Sequence, residues 1–214
     1  MRPVRQFPTL SLPPDAPSRL ADFPSRVLPA GSPWFRVVRK GRGPWWFGGT
    51  MDGRFDLPEP HGTCYLAADP VASLLEILGP ERNGGIVASE FLAERRIREL
   101  QVPEEVLAAD VTSRRASRFG ITAEIGTLVP YERPQAWAAS LFQAGFRGIL
   151  YWLRHDPARS EALALFGPHG ERKTWKRGRE RAVSGELIRR LRTECGIEVV
   201  PIPRSNQLRI IDET

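Results

Sequence analysis

Apolar positions fall into short runs along this chain, and the spacing within each run predicts an element. Val71, Leu74, Leu75 and Leu78 recur at i, i+3, i+4 and i+7, one helical stripe. Asp69 before Pro70 is the preferred pairing at a helix start, and Gly79-Pro80 supplies a stop. Just upstream, Cys64-Tyr65-Leu66 predicts a strand halted by Ala-Ala-Asp-Pro, and the weakly alternating run Trp34–Arg39 predicts the first strand. Gly85–Ala88 predicts another short strand. Ser89 then predicts the cap of a brief helix through Phe91, Leu92 and Ile97, with Glu94, Arg95, Arg96 and Arg98 on its solvated face. Val106–Val111 predicts a strand, and Arg114, Arg115 and Arg118 a loop or short helix ending near Gly120. Gln135, Trp137, Ala138, Leu141 and Phe142 predict a helix closed by Gly145. Phe146–Leu153 predicts a central strand partnered by Ala162–Phe166 across the polar turn 154–160. In that turn His155 lies beside Asp156 without a nucleophile, so it reads as a turn residue rather than a general base.

Short strands alternating with short helices define an α+β class with a partly antiparallel sheet. Composition divides the chain into three. Residues 1–33 carry eight prolines and little periodicity, and predict an extended arm or linker rather than part of the core, whether disordered, packed along the domain or in contact with a partner. Residues 34–170 hold the patterned elements. From 171 onward the chain turns basic, and residues 171–192 hold nine cations against three acids with Trp175 the one aromatic. That stretch predicts a basic helix pair, with Ser184 capping Glu186–Arg192, followed by an edge strand at Ile197–Pro201. A nucleic-acid or protein contact through this segment is the non-enzymatic alternative.

The net charge of +6 points to an anionic partner without choosing one. Two distant cysteines and three histidines are a poor metal-ligand set, so no metal is expected. No run of about 18 apolar residues suggests a membrane span. The first residues lack the apolar stretch of a secretory signal, which leaves the cytoplasm as the expected compartment.

Against this background three polar residues stand among small or apolar neighbours. Arg54 closes a loop containing Gly48, Gly49 and Gly53, glycines that permit positive φ and close ligand approach. Tyr65 lies in the predicted strand. Glu76 borders the apolar stripe of the predicted helix, so its carboxylate sits at the edge of a buried face. A carboxylate near a tyrosine and an arginine suits chemistry on a cationic substrate. Arg36, flanked by large apolar residues, is either an exposed strand residue or a fork for a diphosphate.

The ordered set Trp-Phe-Arg36-Val-Val-Arg, Gly53-Arg54-Phe-Asp56, Cys-Tyr65-Leu-Ala and Ser-Leu-Leu-Glu76 resembles the successive motifs of the RES domain family. Gln135–Ala138, Gly145–Tyr151 and Ala162–Phe166 extend the resemblance over roughly residues 34–168. Members are NAD-consuming bacterial toxins, so the resemblance implies an ADP-ribosyltransferase-like fold with NAD bound in a cleft between two sheets. It implies Glu76 as the carboxylate that stabilises an oxocarbenium-like centre, Tyr65 on the nicotinamide or ribose, and Arg36 and Arg54 on the pyrophosphate. Gly53, Asp56 and Tyr151 would complete the substrate site. NAD would be a consumed substrate rather than a cofactor, consistent with the absence of a Gly-x-Gly-x-x-Gly fingerprint.

The acceptor stays open among phosphate, water and a macromolecule; the last would make the protein an ADP-ribosyltransferase. A helix-turn-helix antitoxin is the implied partner, and self-association is left open. The resemblance departs at two positions. Leu153 stands where the family usually has a serine, leaving Ser160 to take its place, and Asp56 stands where an asparagine is usual. Both leave open a substrate other than NAD.

Overall fold

The computed structural model describes residues 10–79 and 84–203. Its strands are β1 (Ser25–Leu28), β2 (Pro33–Arg39), β3 (Trp46–Phe47), β4 (His61–Ala67), β5 (Ile86–Ala88), β6 (Arg95–Gln101), β7 (Val106–Asp110), β8 (Gly148–Trp152), β9 (Glu161–Pro168), β10 (Gly170–Glu171), β11 (Arg179–Ala182) and β12 (Glu198–Val200). Its α-helices are α1 (Pro70–Leu78), α2 (Ser89–Ala93), α3 (Glu132–Gln143) and α4 (Gly185–Cys195). Among the described residues eight strands form one mixed, mostly antiparallel sheet in the order β1-β7-β8-β9-β4-β2-β6-β11. The class is α+β, as expected.

The sheet is continuous in name but divided in fact. β4 pairs with β9 along its whole length, and β2 pairs with β6 along its whole length. Between β2 and β4 only Phe35 and Ala67 are paired. Past that point the strands part, and Gly48 bridges instead to Thr63 further along β4. The two sheets that the family resemblance implies are therefore two halves of one sheet, joined at a single register position.

α1 packs beside this seam. Asp69 accepts hydrogen bonds from Val71 and Ala72 N–H, with Pro70 in the first turn. Val71, Leu74, Leu75 and Leu78 are all buried and pack with Ile97, Leu191 and Ile197, so the periodic stripe predicted this face. The ring of His155 lies against Gly79 at the other end of the helix: a Cβ there would stand 2.4 Å from it.

Three expectations are corrected. Residues 10–33 are not an arm outside the core. Leu10, Leu20 and Phe23 are buried with Trp137 and Phe146, and β1 forms one edge of the main sheet on β7. The three anchors are irregularly spaced between prolines, so they leave no period to detect. Residues 1–9 lie outside the described residues. Secondly, the brief helix ends at Ala93 without a side-chain cap, and Arg95–Gln101 is a strand. Ile97 and Leu100 are buried on opposite faces of β6, and two-sided burial mimics an i, i+3 stripe. Finally, Arg179–Ala182 is a strand paired with β6 rather than the first of two helices. Ser184 does cap α4, accepting from Leu187 N–H.

Part of the basic segment's charge is paired, at Arg177, Arg181, Arg190 and Arg192. Arg98 meets Glu180, Arg181 meets Glu99 at 2.8 Å, and Arg190 meets both Glu194 at 2.7 Å and Asp69 at 3.6 Å. Arg192 lies 3.5 Å from Glu198 and Arg177 3.5 Å from Glu171. No helix among the described residues is long and apolar enough to cross a membrane.

Candidate active site

The seam between β2 and β4 opens into a cavity of about 180 Å³, a chamber whose wall includes Phe35, Arg36, Tyr65, Ser73, Glu76, Tyr151 and Leu153. Glu76 reaches it from the last turns of α1, Tyr65 from β4 and Tyr151 from β8. One carboxylate oxygen of Glu76, Oε2, is buried without a hydrogen-bond partner. Burial raises the Glu76 pKa above the ordinary carboxylate range, and the charges of Arg54 and Arg154 work against that rise. A buried polar atom left unbonded costs about 1–3 kcal/mol, and among the described residues Glu76 is the one such group on the wall of this chamber.

Arg54 stands behind the chamber rather than on its wall. It is buried, its Nη1 donates to Leu128 O at 2.6 Å, and its guanidinium lies 4.7 Å from the Tyr131 ring centre. Burial lowers its pKa, as does nearby Arg154, while Tyr131, Tyr151 and Glu76 raise it. Tyr151 is buried edge-on to Phe55 with ring centres 4.9 Å apart, and burial followed by the Glu76 charge pushes its hydroxyl well above the usual tyrosine range.

Tyr65 ties the Arg54 loop to the strand. Its hydroxyl donates to Asp56 Oδ1 at 2.8 Å and accepts from Phe55 N–H at 2.8 Å, while Gly53 N–H donates to Asp56 Oδ2 at 2.8 Å. Burial, then the Asp56 charge, holds this hydroxyl far above its ordinary pKa. Asp56 thus faces inward onto Tyr65 and the Gly53 amide. A Cβ on Gly53 would stand 2.4 Å from Asp56 Oδ1 and 2.5 Å from the Tyr65 hydroxyl. Close approach, not left-handed backbone, is what this glycine supplies. None of Gly48, Gly49 and Gly53 has positive φ; that conformation falls on Met51, at φ 64°. Gln135 closes the loop from α3, its Nε2 donating to Met51 O at 2.8 Å and Gly53 O at 2.9 Å.

Arg36 lies in the seam itself. Its Nη1 contacts Pro44 O at 2.6 Å, Trp46 O at 3.1 Å and Cys64 Sγ at 2.7 Å, so it fastens β2 to the β3–β4 side. Buried Cys64 has its thiol pKa raised by desolvation, which the Arg36 charge partly offsets. Ser160 stays in the turn after β8, its N–H on Asp156 Oδ2 at 3.3 Å and its carbonyl on Leu153 N–H at 3.0 Å. The wall position belongs to Leu153.

A second cavity of about 400 Å³ shares Tyr151 and Leu153 with the chamber, and Thr112, Ser113, Arg114, Trp152, Arg154 and Arg159 contribute to its lining. Arg154, which bears on both Glu76 and Arg54, is a site residue that the pattern of the sequence missed. Its position two residues after a mostly buried strand was the available signal. Ser73, Tyr131 and Gln135 were missed for the same reason: each is an ordinary helix or turn residue until the fold is known.

A buried carboxylate with an unbonded oxygen, two tyrosines and flanking arginines are set in a split sheet beside a larger cavity. The RES domain family matches residues 33–183, more than half of the chain, and the protein belongs to that family. Among solved structures, a chain in the crystal structure of the M. tuberculosis MbcT–MbcA toxin–antitoxin complex superposes with a TM-score of 0.63 at 14% identity, over 84% of this chain and 98% of that one. At that identity the likeness speaks for the fold. No curated protein matches the chain.

Proposed function

We propose that this protein cleaves the nicotinamide–ribose bond of NAD and serves as the toxin of a toxin–antitoxin pair. The observation that carries the proposal is Glu76, a carboxylate on the wall of a chamber otherwise lined mainly by apolar and tyrosine side chains, with its Oε2 buried and unbonded. Nicotinamide, a flat apolar ring, suits that chamber. The larger cavity beyond Tyr151 and Leu153 offers Arg114, Arg154 and Arg159 to the diphosphate and hydroxyl groups to the riboses.

As the C–N bond breaks, its electron pair leaves with nicotinamide, which becomes neutral, and positive charge grows on the ribose carbon and ring oxygen. A carboxylate fixed beside that carbon binds the transition state more strongly than the ground state. An oxygen of phosphate or water then bonds to the carbon; with water, the departing proton goes to solvent. Arg54 keeps the buried Glu76 ionised, and Tyr65 holds the Arg54 loop in place. The antitoxin partner is proposed from the toxin–antitoxin complex in which the structural relative is found.

The test is chromatography of NAD incubated with purified protein, with and without inorganic phosphate. Nicotinamide release that disappears in Glu76→Gln supports the proposal. Release requiring phosphate identifies phosphorolysis, and release without it hydrolysis. Labelled ADP-ribose found on a macromolecule identifies transfer instead. Intact NAD with folded wild-type protein refutes the proposal.

A further inference from the structure

Next to the Glu76 chamber lies another cavity, of about 340 Å³, which shares Arg36 and Val37 with it. Arg39, Arg42, Trp46 and Glu171 complete its chemistry. Among the described residues, Arg39 and Arg42 have no ion pair or side-chain hydrogen bond, whereas Arg177, Arg181, Arg190 and Arg192 of the basic C-terminal segment are paired with acids. The two lie on one tight turn after β2, in which Arg42 N–H donates to Arg39 O at 3.0 Å.

Trp46 is 49% exposed, unlike Trp34, Trp45 and Trp137, which are buried. His169 stands edge-on to it with ring centres 5.6 Å apart, which steadies the indole. Glu171 is its cross-strand partner. The Glu171 carboxylate lies against Gly43, where a Cβ would stand 1.7 Å from Oε1, so a side chain at 43 would displace it.

A site for bare phosphate would not set a carboxylate among its arginines or leave an indole face uncovered. Unpaired guanidinium groups beside an exposed aromatic and one acceptor match the three parts of a nucleotide. We propose that this cavity binds a nucleotide phosphate. The base stacks on Trp46, the phosphate takes Arg39 and Arg42, and Glu171 accepts from a ribose hydroxyl or exocyclic amine. The ligand is either a free mononucleotide or the phosphorylated end of a strand. The proposal stands apart from NAD cleavage, because it concerns a cavity to which Glu76, Tyr65 and Tyr151 do not contribute.

Calorimetric titration of the full chain with adenosine, guanosine, cytidine and uridine monophosphates tests it, with inorganic phosphate and a 5′-phosphorylated tetranucleotide as separate arms. The variants are Arg39→Ala/Arg42→Ala, Trp46→Ala and, for the larger cavity beyond Tyr151 and Leu153, Arg154→Ala; circular dichroism checks their folding. The expected result is binding of a monophosphate that weakens at least tenfold in the double-arginine variant and in Trp46→Ala, and persists in Arg154→Ala. Tighter binding of the tetranucleotide, lost in the same variants, identifies a strand end as the source. Three results would overturn the proposal: no binding by wild type, binding indifferent to all three residues, or phosphate alone binding as tightly as the nucleotides. Each reads the same whether or not NAD is cleaved.

Discussion

Glu76 carries two opposed demands, and they are separable by pH. Burial raises its pKa, so the folded protein holds this proton more readily than the unfolded chain. The resulting stabilisation is present below the ordinary carboxylate range and is lost as pH climbs through the raised value. Glu76→Gln removes that loss. Its melting temperature should exceed wild type at pH 8, and the gap should close near pH 4. Catalysis needs the opposite form. Nicotinamide release by wild type should fall on the acid side at a pH above the usual glutamate range, and Glu76→Gln should lower it about 100-fold or more. A variant that melts no higher at pH 8 would argue against a buried, charged carboxylate. Much of this was legible beforehand, because Asp69-Pro70 and the 71–78 stripe set the angular position of Glu76 on its helix. Arg154 was not, because its relevance depends on where β8 ends relative to α1.

At the scale of elements, the 51–56 loop is organised by contacts from three directions: Tyr65 on β4, Gln135 on α3 and its own Asp56. Gly53→Ala drives a methyl group into Asp56 and Tyr65. It should destabilise by about 1–3 kcal/mol and lower NAD cleavage, readable by urea unfolding and nicotinamide release. Gln135→Ala should cost only about 1 kcal/mol in stability while reducing cleavage disproportionately, since two loop carbonyls lose their donor but no core volume is removed. Equal proportional losses in both would count against a positioning role. The same scale shows where pattern fails. β6 buries Ile97 and Leu100 on opposite faces, so its residues match a helical spacing although the backbone is extended. Helix α1, buried along one stripe only, offers no such ambiguity.

Across the whole molecule, the segment before β2 is a structural member. Phe23 packs 5.0 Å from the Phe119 ring centre, 6.2 Å from Trp137 and 6.1 Å from Phe146. Phe23→Ala should destabilise by about 3–5 kcal/mol, and removing residues 1–24 should cost more, both measured by denaturant midpoint. A truncated chain as stable as the intact one would return this segment to the status of an appendage. Hydrophobic period could not have shown its role, since it contributes isolated anchors separated by proline rather than a face.

The single pairing of Phe35 with Ala67 has a mechanical meaning. A sheet resists shear through its rows of hydrogen bonds, and here one row has been reduced almost to a point, with Arg36 and α1 bracing the remainder. The softest deformation of this molecule should therefore be a scissoring of its two half-sheets about that point, changing the width of the gap in which Glu76 sits. Backbone amides flanking the seam should exchange with solvent faster than those of the β4–β9 ladder, and a ligand wedged in the gap should slow them.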